Sequence, residues 1–102
     1  MIKYLLVTHA KVKYFIESLD KIKQARVDRY YDLFEEYGPF LSNKYLKKIA
    51  KNVWELRPGN IRLFLTVKGN RGYIVHGIYK KTQKTPKKDL DLAIKRIKEE
   101  IG

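Results

Sequence analysis

The chain reads as an α+β protein, with an N-terminal helical hairpin packed on a twisted antiparallel sheet of about four strands and a C-terminal helix behind it. Three observations predict this. Apolar residues recur three and four apart over residues 10–37, the spacing of one helix face. Three short strand-like runs follow, separated by compact turns, which implies an antiparallel meander rather than a parallel sheet. A last stretch, opening at Thr85-Pro86, returns to helical spacing.

Taken in order, residues 2–7 (Ile-Lys-Tyr-Leu-Leu-Val) form a short strand ahead of the helices. Val12, Phe15, Ile16 and Leu19 mark one face of a first helix. Asp20 can cap a second, whose apolar positions are Ile22, Val27, Tyr30, Tyr31, Phe34 and Tyr37. Gly38-Pro39 stops it, because Gly tolerates a left-handed end and Pro cannot continue the ladder. Residues 40–52 read as a connecting segment anchored by Tyr45, Leu46 and Ile49. Residues 53–57 form a strand that ends at Pro58-Gly59-Asn60, strong turn chemistry. Residues 61–68 alternate, with Ile61, Leu63, Leu65 and Val67 on one face and Arg62, Phe64, Thr66 and Lys68 on the other. Gly69-Asn70-Arg71-Gly72 supplies a hairpin loop before a run over Tyr73–Tyr79. Thr85 then offers a capping hydroxyl, Pro86 suits the first helical position, and Leu90, Ala93, Ile94, Ile97 and Ile101 trace the apolar stripe.

A length of 102 residues suits one domain spanning 1–102. There is no cysteine, so disulfide and thiol chemistry are excluded. No apolar stretch is long enough for a membrane span, and the first residues lack the features of a signal peptide, so a soluble cytoplasmic protein is expected. The 23 basic and 11 acidic side chains give a formal charge of +12, which points to a polyanionic partner. Residues 1–43 carry seven basic and six acidic groups, and residues 89–102 carry three and four. Residues 44–88 carry thirteen basic groups and one acidic, Glu55. A face charged only for solubility would interleave the signs. Here the excess is contiguous.

That segment limits the chemistry. A two-metal nuclease needs convergent carboxylates, which residues 44–88 lack, so no metal or other cofactor is expected. The two serines have no nucleophile motif around them, and no phosphate-binding glycine loop is present. RNA, however, carries its own nucleophile. Its 2′-hydroxyl can attack the adjacent phosphate if a protein supplies a base, cations around the developing charge and an acid for the leaving oxygen. Arg62 projects from the sheet opposite the core-facing Ile61, Leu63 and Leu65, and Arg57 can reach the same region. Lys80, Lys81, Lys84, Lys87 and Lys88 crowd the approach to the last helix. Lysines in a first helical turn oppose the macrodipole, a cost that a bound anion would offset.

Trp54-Glu55-Leu56-Arg57, Ile61-Arg62-Leu63-Phe64, and the run from His76-Gly77-Ile78-Tyr79 through Lys80-Lys81-Thr82-Gln83-Lys84-Thr85-Pro86 resemble the HigB-like, phage-derived branch of the RelE/ParE toxin superfamily. The resemblance extends over nearly the whole chain. It implies the toxin of a type II toxin–antitoxin pair, an endoribonuclease that cleaves mRNA, often on the ribosome, and is silenced by a cognate antitoxin. It implies Arg62 on the scissile phosphate. Lys80, Lys81 and Lys84 would be catalytic or RNA-contacting, and Arg57, Thr85, Lys87 and Lys88 would bind RNA. His76 is open to two roles, catalytic or buried and structural, since alternation groups it with Ile74 and Ile78 on a core face. Tyr79 is likewise a base-stacking or packing residue. By charge complementarity, an acidic antitoxin segment is expected over the basic surface. The superfamily also holds toxins that inhibit DNA gyrase without cutting RNA; Arg62 and the KKTQK segment argue against that reading. A non-catalytic nucleic-acid-binding homologue is the other alternative, because phosphate contacts raise affinity whether or not bonds break.

Overall fold

A computed structural model of the chain describes residues 3–82 and 84–101, with nothing said of the Ile101 side chain. The elements run β1 (Leu5–Thr8), α1 (Ala10–Glu17), α2 (Lys21–Tyr37), a 3-10 turn (Gly38–Phe40), β2 (Leu46–Ala50), β3 (Val53–Leu56), β4 (Ile61–Lys68), β5 (Arg71–Tyr79) and α3 (Lys87–Ile101). The expectations placed on Ile2, Gln83 and the Ile101 side chain lie outside the described residues.

Five strands form one sheet in the order β1-β5-β4-β3-β2. Two features correct the sequence reading. Leu46–Ala50, expected as a connection, pairs antiparallel with β3 as a basic edge strand. Its lysines are exposed and hide the alternation of a strand, leaving Leu46 as its one fully buried anchor. The opening strand pairs parallel with β5, Leu5 against Arg71 and Thr8 against Ile74, so the sheet is mixed.

The expected N-terminal hairpin is also revised. Behind the expected first strand, the two helices lie against the sheet more than against each other, α1 on β5 and α2 on β1. Their apolar positions explain this, since Val12, Leu19, Val27 and Phe34 enter one core with Leu56, Ile61, Leu63 and Leu65. The predicted ends of α2 are correct. The Asp20 carboxylate accepts from the Lys23 N–H at 2.9 Å, and Gly38 ends the helix at φ 59°, where a Cβ would collide with the Tyr4 ring. Ile22, however, is 76% exposed. On the other sheet face, Phe64, Val75 and Ala93 form a second, smaller core under α3. Among the described residues, no helix is long and apolar enough to cross a membrane.

The β4–β5 register slips between Phe64 and Leu65. Phe64 faces His76 and Leu65 faces Ile74, so Val75 is the extra residue of a bulge. Strict alternation therefore fails there. Ile74 joins the helix-hairpin core, while Val75 and His76 both turn toward α3.

Candidate functional site

The site is built on the α3 face of β3 and β4. Leu56, Ile61 and Leu63 fill the core on the opposite face, which leaves Glu55 and Arg62 pointing away from α1 and α2. Both are buried, with 4% and 8% of their surface exposed. A charge so placed persists only if it is paired. The Glu55 Oε1 lies 3.2 Å from the Arg57 Nε and 3.4 Å from the Arg62 Nε, contacts that are ionic rather than directed hydrogen bonds. Its Oε2 accepts from the Thr85 hydroxyl at 2.9 Å. Arg62 also donates to the Gly59 and Ile61 carbonyls, at 2.7 and 2.8 Å, and so braces the Pro58-Gly59-Asn60 turn from inside. Arg57 reaches the Asn43 carbonyl at 3.3 Å.

Residues 80–82 and 84–86 lie over this cluster. The Lys80 N–H donates to the Asn60 carbonyl at 2.7 Å and anchors one end of the loop, and the Thr82 hydroxyl donates to the Lys84 carbonyl at 2.9 Å within it. Glu55, Arg62, Lys80, Lys81, Lys84 and Thr85 thereby enclose a small cavity of about 20 Å³ with Thr82 and Pro86. This space suits a water-sized group, so a phosphodiester would seat at its mouth, where Lys81 and Lys84 are exposed. Partial desolvation holds the Lys80 ammonium below the ordinary lysine range; Arg62 and Arg57 push the same way, against Glu55. Desolvation likewise lowers Arg62, and Glu55 opposes it.

Four of the lysines and arginines singled out in the sequence thus converge: Arg62, Lys80, Lys81 and Lys84. Arg57 joins them through Glu55. Lys87 and Lys88 do not line the cavity; they are exposed in the first turn of α3, beside Asp89. Thr85 is present but not as the expected cap. Its hydroxyl is used on Glu55, α3 starts at Lys87, and the Pro86 carbonyl accepts the first helical bond, from Leu90 at 3.1 Å.

His76 stands apart from the cavity. Its ring stacks on Phe64 with centroids 5.7 Å apart, and its Nε2 meets the Asp89 Oδ1 at 2.8 Å, which ties β5 to the start of α3. Tyr79 packs edge-to-face on Phe15, on the sheet face opposite Arg62. His9 caps α1 by accepting from the Lys11 N–H at 3.1 Å. Glu55 is the member that sequence reasoning missed. Its signal was its isolation, a lone carboxylate within a long basic segment. Asp89 was missed as the partner of His76. Among the described residues, no three His, Asp or Glu side chains gather in a way that could hold a metal ion.

Comparisons with known proteins address the fold and the family. No curated protein matches the chain at a significant level. Among solved structures, a chain of the archaeal RelE–RelB complex from Pyrococcus horikoshii OT3 superposes with a TM-score of 0.65 at 20% identity, over 76% of this chain and 96% of that one. At that identity the likeness shows a shared fold. The profile of the family described as phage-derived protein Gp49-like matches residues 14–98, which takes in the second half of α1, all of α2, the cluster around Glu55 and most of α3. The chain belongs to the phage-derived Gp49-like family.

Proposed function

We propose that this chain is the toxin of a type II toxin–antitoxin pair, a HigB-like endoribonuclease that cuts mRNA in the cytoplasm, in ribosome-bound messages, without a metal ion. The observation that carries the reading is the cavity in which Arg62, Lys80, Lys81 and Lys84 surround one carboxylate. The RNA 2′-hydroxyl attacks the adjacent phosphorus, a 2′,3′-cyclic phosphate forms and the bond to the 5′-oxygen breaks. Arg62 and Lys84 stabilise the charge that develops on the non-bridging oxygens. Lys80, with its depressed pKa, exchanges protons with the reacting oxygens. Glu55 keeps the two arginines apart and aimed. Arg57, Lys81, Lys87 and Lys88 hold flanking phosphates, and Thr85 fixes the loop through Glu55. The bonds that His76 makes favour a positioning role at the α3 start over direct chemistry. Membership of the Gp49-like family and the fold shared with a RelE–RelB chain support the toxin reading and an antitoxin partner.

The test is induction in bacteria beside Arg62→Ala and Lys84→Ala variants, with growth followed and new mRNA 5′ ends mapped. Lys84 is exposed, so its variant separates a lost site from a lost fold. Growth arrest with new cuts inside reading frames, abolished by both variants, supports the proposal. Arrest with intact mRNA points instead to a gyrase-type target, and no arrest to a non-catalytic homologue.

A further inference from the structure

The end of β5 carries an aromatic side chain that the proposed chemistry does not use. Tyr79 pairs in register with Ile61, and the next residue, Lys80, is pinned to the Asn60 carbonyl at 2.7 Å. The ring therefore stands beside the Pro58-Gly59-Asn60 turn, which Arg62 braces from the opposite face through the Gly59 carbonyl at 2.7 Å. Tyr79 is 43% exposed, yet it is held. It meets Phe15 edge to face with centroids 5.5 Å apart, and Phe15 lies across Gly77, where a Cβ would come within 2.8 Å of its ring. Two cations of α2 flank the same turn. The Arg26 guanidinium covers Gly59, is exposed, and takes part in none of the ion pairs among the described residues. Lys23, one helical turn earlier, is within electrostatic range of the Tyr79 phenol, although it is also paired with Asp20 at 2.7 Å.

We propose that the end of β5 is an RNA subsite, in which Tyr79 stacks on a base flanking the cleaved bond and Arg26 binds that nucleotide's phosphate. The inference rests on the reading of the Arg62 cavity as a site of RNA cleavage, and adds a second point of grip to it. A strand seated at the cavity mouth crosses the end of the sheet over Lys80 and meets the ring one residue away. Single-stranded RNA suits the position, because its bases are free to turn out and stack on a side chain. A ring already fixed by Phe15 loses little freedom when a base settles on it. Tyr79 offers a face and no base-edge code, so the subsite strengthens binding with little regard to sequence. Packing accounts for the contact with Phe15. It does not account for an unpaired arginine at the same turn, which a phosphate would satisfy.

The probe is a fluorescein-labelled 2′-O-methyl oligoadenylate of about eight nucleotides, within the usual span of a single-strand site. Its blocked 2′-oxygen cannot serve as the nucleophile, so it is bound without being cut. The control is a labelled abasic tetrahydrofuran oligomer of the same length, with the same phosphates and no bases. Fluorescence anisotropy at several salt concentrations is read on the parent and on Tyr79→Phe, Tyr79→Leu and Arg26→Ala, each checked for its fold by circular dichroism. Tyr79→Leu should weaken oligoadenylate binding by about tenfold, the size of one base–aromatic stack, and leave the abasic oligomer unchanged. Tyr79→Phe should bind as the parent does. Arg26→Ala should weaken both oligomers and lower the slope of log Kd against log salt by about 0.7, one phosphate contact on a single strand. No binding of oligoadenylate, unchanged binding in Tyr79→Leu, an equal loss for both oligomers in that variant, or a parental salt slope in Arg26→Ala overturns the proposal. Growth arrest and mRNA cutting by the parent are scored separately. Base-dependent binding through Tyr79 without cutting rejects the ribonuclease reading while the stacking site stands, and cutting without that dependence rejects the subsite alone.

Discussion

Replacing Glu55 by Gln removes one charge and almost no volume, so its effect isolates the electrostatics of the cluster. The Glu55 side chain is 6% exposed, that of Arg62 10% and that of Arg57 24%. Taking one partner from a buried ion cluster costs about 3–5 kcal/mol, because the remaining charges stay out of water without compensation. Arg57 is partly solvated and the cavity opens at its mouth, which reduces the cost to about 2–3 kcal/mol. The glutamine carbonyl can still accept from Thr85, so that hydrogen bond is not part of the loss. For a chain of this size, the change corresponds to a fall in Tm of about 10–20 °C. Urea unfolding at pH 7, followed by circular dichroism, measures it through the midpoint at constant m-value. A second substitution, Arg62→Met, in the Glu55→Gln background should restore part of the stability, since it removes a buried cation that has lost its carboxylate. A loss below about 0.5 kcal/mol, or no recovery in the double variant, would refute the idea that this carboxylate holds the arginines in place.

Two further outcomes follow from the core. Burial pushes the Tyr31 hydroxyl up to about 12, from an ordinary value of 10.0, and Thr8 shares a hydrogen bond with it at 2.8 Å. The unfolded chain therefore ionises first, and stability should fall between pH 10 and pH 12 by about 2–3 kcal/mol. Tyr31→Phe should flatten that decline, and parallel pH profiles for the two proteins would count against the assignment. Phe34 is fully buried between α2 and the sheet, so Phe34→Ala should cost about 3–5 kcal/mol in chemical denaturation. A change under 1 kcal/mol would mean that the core closes up around the gap.

The sequence showed most readily what periodicity controls. The two helices, their caps at Asp20 and Gly38, and the β4–β5 meander all rest on local rules, and each is where those rules put it. Three features depended on contacts distant in sequence. β2 was hidden because exposed Lys47 and Lys48 follow Leu46, so no alternation marks an edge strand that needs only one buried anchor. The parallel pairing of β1 depends on where β5 ends up, which no local signal records. The bulge at Val75 moved His76 relative to Ile74 and sent it to Asp89. At the site, the basic residues were legible as a contiguous charge excess. The organising carboxylate was not, because a lone Glu in a strand reads as a surface residue until its neighbours are known to be two arginines and a threonine.

The parallel pairing of β1 also constrains the order of assembly. Residues of β3, β4 and β5 can meet through short turns, but Leu5 must wait for Arg71 before its ladder can form. Closing so long a loop adds entropy cost with little local reward, so β1 should dock after the meander has condensed. During synthesis, the first strand leaves the ribosome long before its partner exists. Its half-exposed Leu5 and Val7 then sit beside unpaired backbone groups, an invitation to mispairing. The helix α2, anchored on β1, holds its final position only once that last strand is in place.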